Sequence, residues 1–168
     1  MIEKQEAVTA QWSQVENVYQ RRADLIPNLV ATVKGYADFE QETLTAVIEA
    51  RAKATSVNID PSKLDASSIK NFQAAQDGLS SALSKLMVVV ERYPELKANQ
   101  SFLELQSQLE GTENRIAVER KKFNESAQDY NTYIRKFPNN MVAGMFDFEK
   151  AEYFEADEGA AEAPKVEF

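Results

Sequence analysis

The sequence predicts an all-α protein: an antiparallel up-down four-helix bundle with a short extra C-terminal helical segment and an acidic tail. Three observations predict it. Apolar residues recur at three- and four-residue steps along four long stretches. Gly and Pro number only five each in 168 residues. A composition of 43% hydrophobic and 27% charged residues is that of a folded, water-soluble chain. The length gives one domain with a sizeable core, divided here into a bundle over 1–149 and a mobile tail over 150–168.

The first helix is expected over 2–23, with Ile2, Val8, Trp12, Val15, Val18 and Tyr19 on its apolar face. It starts without a Ser, Thr, Asp or Asn cap, which suggests a chain cut from a longer one. "QRRADLIPNLV" (20–30) then places Pro27 within helical spacing. Proline lacks an N–H and disfavours helical angles at Ile26. An unbroken helix to residue 53 would be about 78 Å long, against about 40 Å for the next one. Lengths therefore favour a break near 24–27, with Asp24 as the new cap and Pro27 in the first turn.

The second helix is expected over 28–53, with Leu29, Val33, Leu44 and Val47 inward and Gly35 as a mild cost. "ATSVNIDPSKLDASS" (54–68) is a loop. The third helix is expected over 66–92, capped by Asp65, with Ile69, Phe72, Leu79, Leu83, Leu86 and Val90 inward. "YPELKAN" (93–99) connects it to the longest helix, 100–136, for which Asn99 is the cap. "FPNNMVAGMFDF" (137–148) is a short apolar return of one or two helical turns.

Charge and composition exclude several functions. The net charge is −8, and the last 18 residues carry −5 of it. No basic face is evident, so nucleic acid is not an expected partner, and anionic headgroups are disfavoured. There is no Cys and no His, which removes Cys/His zinc sites, thiol nucleophiles and the Ser-His-Asp triad. Glu40, Glu42, Glu49 and Glu113 do not make a di-metal bundle, because that chemistry pairs Glu with His. No catalytic residue, metal or cofactor is expected. No run of 18 apolar residues exists to span a membrane. Every strong apolar stripe is used by the bundle, which leaves none for a membrane surface.

"WSQVENVYQRRADLIPNLVATVKGYA" (12–37), "ERYPELKAN" (91–99), "TENRIAVERKKFN" (112–124) and "FPNNMVAGMFDF" resemble the signature segments of the LemA family. These segments cover well over a third of the chain and are spaced along nearly all of it. The resemblance implies a helical bundle carried behind one N-terminal membrane helix, here missing, in bacterial envelope proteins. It implies no reaction. The expected placement is membrane-anchored with the bundle on the periplasmic side, and the expected partners are other envelope proteins.

Four groups of residues are candidate sites. With a break at 24–27, Arg21, Arg22, Asp24 and Asn28 meet Tyr93, Glu95, Lys97 and Asn99 at one bundle end. They form either a docking patch for an acidic partner, through bidentate Arg–carboxylate pairs, or caps and ion pairs fixing the turns. Arg22 then lies near Glu91 or Glu95 and about 21 Å from Glu113. Glu113 and Arg120 fall on the apolar seam of the long helix. They read as a buried polar pair setting register, or as a small polar site for ligand binding or hydrolysis, since buried charges must be paired. The aromatic residues on the helix seams, among them Trp12, Phe72 and Phe123, read as core. Val166, Glu167 and Phe168 form an apolar C-terminus of the kind that carboxylate-reading domains capture by strand addition.

Overall fold

The structure, a computed structural model, describes residues 1–36, 39–62 and 64–155. It contains helices α1 (Ile2–Lys34), α2 (Gln41–Ser56), α3 (Ala66–Val90), α4 (Pro94–Lys97), α5 (Gln100–Arg135) and α6 (Asn139–Met145), with no strand among the described residues. The fold is all-α as expected. Asp65 caps α3 by accepting from the Ser68 N–H at 2.7 Å, and Asn99 caps α5 by accepting from the Phe102 N–H at 3.0 Å. Both caps are legible in sequence because cap and partner lie within one turn.

The four long helices run alternately up and down. Lys4 meets Asp129, Gln11 meets Glu119 and Arg22 meets Glu113, so α1 and α5 are antiparallel neighbours along nearly their full lengths. Helix α2 folds back along the second half of α1, with Arg51 beside Ala23. Helix α3 pairs with α2 and carries Gln76 to Arg22. At the tip, the α1–α2 turn meets the α3–α5 connection, where Phe39 packs on Tyr93 at 5.0 Å.

The break expected at 24–27 does not occur. Helix α1 runs through Pro27 to Lys34 and ends at Gly35. Its 33 residues span about 50 Å and match the 36 of α5, about 54 Å. The helix that α1 lies along is α5, and not the shorter α3. A mid-helix proline also needs a local remedy, because the carbonyl four residues back loses its N–H partner. That carbonyl belongs to Ala23, and Arg51 Nε on α2 donates to it at 2.9 Å. The proline is tolerated because a neighbouring helix supplies the missing donor.

This arrangement makes a prediction by double-mutant cycle. Arg51→Met is expected to cost about 1–2 kcal/mol in the parent chain, since it orphans a buried carbonyl. In a Pro27→Ala background the same change is expected to cost measurably less, because the new N–H satisfies Ala23. Equal costs in urea unfolding would sink the explanation.

The core has two parts. The tip half is packed by residues such as Ile26, Leu29, Leu44, Leu79, Leu86 and Phe102. The other half is built on Trp12, Phe72, Phe123, Ala127 and Tyr130, so the seam aromatics are core. Helix α2 stops at Ser56, and beyond it the second half is closed partly by the chain after α6. Residues 150–155, where the tail was expected to begin, lie along α5 as a strap. Phe154 inserts between Trp12 (5.8 Å, stacked) and Phe123 (5.4 Å, edge-on).

The strap has no sheet partner, yet side-chain amides bond the backbone of Ala151, Phe154 and Glu155. Asn131 exchanges donor and acceptor bonds with Ala151, Asn124 does so with Phe154, and Gln73 with Glu155, all between 2.7 and 3.1 Å. A primary amide offers both an N–H and a C=O, so each can stand in for one rung of a ladder. The expectations for 156–168, including Val166, Glu167 and Phe168, lie outside the described residues.

Candidate functional site: a buried arginine layer

Between the two core halves lies a polar layer centred on Arg22. Its position on α1 follows from the helix passing through Pro27: Arg22 is mid-helix and only 1% exposed. Nη1 donates to Ser80 Oγ at 2.6 Å and Glu113 Oε1 at 2.8 Å. Nη2 donates to the Gln76 carbonyl at 2.9 Å and Gln76 Oε1 at 2.8 Å. The guanidinium also sits over the Tyr19 ring, 5.2 Å from its centroid. One side chain thus joins α1, α3 and α5.

Glu113 is unlike Arg22 in exposure: its side chain is 44% accessible. It pairs with Arg22 and not with Arg120, which corrects the expected buried pair. Arg120 reaches Glu155 O at 3.0 Å and lies 3.9 Å from Asp77, over the Phe154 ring. The two residues share a helix seam, but different neighbours claim them. Arg120 therefore ties the strap to the bundle. Burial pushes the Tyr19 hydroxyl above the usual phenol range, and the nearby Arg120 and Arg22 charges partly offset this.

The remaining predicted residues do not form one patch. Arg21, Asp24 and Asn28 are exposed along the outside of α1, with Asp24 accepting from Gln20. Tyr93, Glu95, Lys97 and Asn99 are at the tip, where Lys97 pairs with Glu91 and Tyr36 donates to the Glu95 carbonyl. Arg22 is about 18 Å down α1 from Lys34. The tip itself is real, but Tyr36, Phe39 and Glu40 build its α1 side, not Arg21 to Asn28.

Gln76 and Ser80, absent from the expected site, are the α3 acceptors of Arg22. They share the face of Phe72, Leu79 and Leu83 at helical spacing, and polar residues on an apolar stripe are the signal for a buried acceptor. Among the described residues no three carboxylates converge as a metal site. Beside the layer, Glu113, Ser80, Leu83, Met87, Gln106 and Leu109 line an open groove of about 620 Å³ between α3 and α5.

A family model for the LemA family matches residues 11–168. The chain belongs to the LemA family. Magnetosome proteins MamQ 1 and MamQ 2 of Paramagnetospirillum magneticum are each 28% identical to it, over 96% of this chain and 65% of their own length. Magnetosome protein MamQ of Magnetospirillum gryphiswaldense is 28% identical over 89% of this chain and 61% of its own. Protein LemA of Metamycoplasma hominis is 26% identical over 87% and 63%. The chain spans less than two thirds of the length of these relatives. The LemA-family match takes in the arginine layer, the tip, α6 and the strap.

Proposed function

We propose that this LemA-family bundle is a non-enzymatic interaction domain of a membrane-anchored bacterial envelope protein. The anchor is a segment outside residues 1–168, the bundle faces the periplasmic side, and its partners are other envelope proteins. The observation that carries this reading is Arg22. Among the described residues it is the one buried charged side chain, and its four hydrogen bonds serve to join three helices. The chemistry held in the interior is thus used for rigidity. The relatives it resembles, three named as magnetosome proteins and one named LemA, are all longer than this chain. That supports a module joined to other segments.

The partner-facing surface in this reading is the tip, with Tyr93, Glu95, Lys97 and Asn99 as its polar groups. The test is cross-linking in native membranes of the full-length protein. Glu95→Lys/Lys97→Glu is expected to lose the cross-linked species while Arg21→Glu keeps them, both variants retaining helical circular dichroism. Unchanged cross-links in the tip variant would overturn the tip as contact surface. Recovery of the protein in the soluble fraction would overturn the anchoring.

A further inference from the structure

Helix α6 is turned inside out. Phe137, just before it, is 80% exposed, Met141 62%, Met145 78% and Phe146, just after it, 67%. Val142 is exposed too, whereas the residue α6 buries is the small Ala143. Met141, Val142 and Met145 fall at helical steps on one face of α6, and Phe137 and Phe146 flank its two ends. Their combined exposed surface is on the order of 500 Å², using about 150–250 Å² for a whole aromatic side chain. That is at the upper end of the largest apolar patch on a typical soluble monomer.

The orientation is built in rather than incidental. Asn139 Nδ2 donates to the Tyr133 carbonyl at 3.2 Å and holds the start of α6 to α5. At the other end the Phe148 N–H donates to the Ala143 carbonyl at 3.0 Å, with Asp147 left-handed at φ 54°. A left-handed residue and a bond back across the last turn form a helix stop, and aspartate tolerates that conformation. The strap continues from this stop, locked by Asn131. The apolar face therefore cannot roll inward without breaking the strap.

We propose that this face is a lipid contact: α6 lies in the interfacial region of a bilayer, with the long axis of the bundle standing away from it. Three observations select lipid. The face lies on one helix of seven residues, too short to seat a long partner helix, and the described residues offer no strand edge. Ile2 is exposed at the same end, where Lys4 and Asp129 join the start of α1 to the last turns of α5. Arg135, Lys136 and Lys150 flank α6 against Asp147 and Glu149, so this segment is slightly basic in a chain of net charge −8. Phe, Met and Val on one face with Lys and Arg beside them are what an interfacial helix needs. The expectation that no apolar stripe is left over fails here, because burial of Ala143 turns the larger residues out. The inference uses the membrane reading above only for the direction in which the tip then points.

The chain has no cysteine, so Met145→Cys and Lys85→Cys can each carry one environment-sensitive fluorophore. With phosphatidylcholine vesicles, with and without phosphatidylglycerol, a blue shift is expected at position 145 and none at 85. Met141→Glu/Phe146→Glu is expected to cut vesicle co-sedimentation by at least about tenfold while leaving the melting temperature unchanged. No vesicle-dependent shift at 145 would overturn the lipid contact yet leave the anchoring reading intact, since the anchor is another segment. A shift that follows protein concentration without lipid would overturn it in favour of a second copy of this chain.

Discussion

Arg22→Ala is expected to destabilise the protein by about 3–5 kcal/mol, the usual cost of removing one partner from a buried charged network. At a few degrees per kcal/mol for a chain of this size, that is a fall of about 10 °C or more in Tm. The loss has two sources. The Gln76 carbonyl and amide oxygen lose their guanidinium donors in a site water does not freely reach. A cavity also opens between the two core halves. Arg22→Met separates these effects, because it refills the volume without restoring the bonds. It is expected to cost clearly less than Arg22→Ala, as apolar replacements of buried charges often do. Arg22→Lys is expected to fall short of the parent, since one ammonium cannot reproduce the planar fork. Glu113→Gln is expected to cost under about 1 kcal/mol, because its side chain is 44% accessible and solvent screens the pair. Urea unfolding measures the whole series. If Arg22→Ala costs under about 1 kcal/mol, the layer is not what joins α1, α3 and α5.

Phe154→Ala is expected to cost about 3–5 kcal/mol, the range for truncating a buried aromatic. Phe154 is buried against Trp12 and Phe123 and lies under Arg120. Truncation removes the lid over the single tryptophan, so native Trp12 emission is expected to move to the red. Asn124→Ala acts on the same strap by another route. It leaves the N–H and C=O of Phe154 without partners, at about 1–3 kcal/mol. In the parent chain the amides of Ala151, Phe154 and Glu155 are expected to exchange slowly with solvent, because each donates to a side-chain carbonyl oxygen. Exchange at unfolded rates there, with no change in Trp12 emission in the Phe154 variant, would show that the strap is not part of the cooperative fold.

The strap also bears on the proposed lipid contact. It begins at the stop after α6 and ends in the core, so it links the orientation of α6 to global stability. A variant that frees the strap is therefore expected to change vesicle binding even though it leaves the α6 face intact.

What could be read from the residues alone is whatever a residue settles with its near neighbours. The stripes of α1, α3 and α5, the caps Asp65 and Asn99, and the return after residue 136 are all of this kind. Helical period and capping act over three or four residues, so one sequence contains both halves of the interaction. The family segments were legible for a related reason, as each is a contiguous string. The course of α1 past Pro27 was not legible, because the Ala23 carbonyl it orphans is served by Arg51, 28 residues from Ala23 on another helix. Arg22 was placed at a turn for the same reason: its partner Glu113 is 91 residues distant. The strap looked like the start of a tail because its composition is acidic and small, while its hold comes from Gln73, Asn124 and Asn131. The outward face of α6 was not legible, because the string is apolar over most of its length and only the packing of Ala143 decides which side turns out. In each case an orphaned carbonyl, a buried charge, an unpaired backbone or an apolar face took its meaning from a group brought close only by folding.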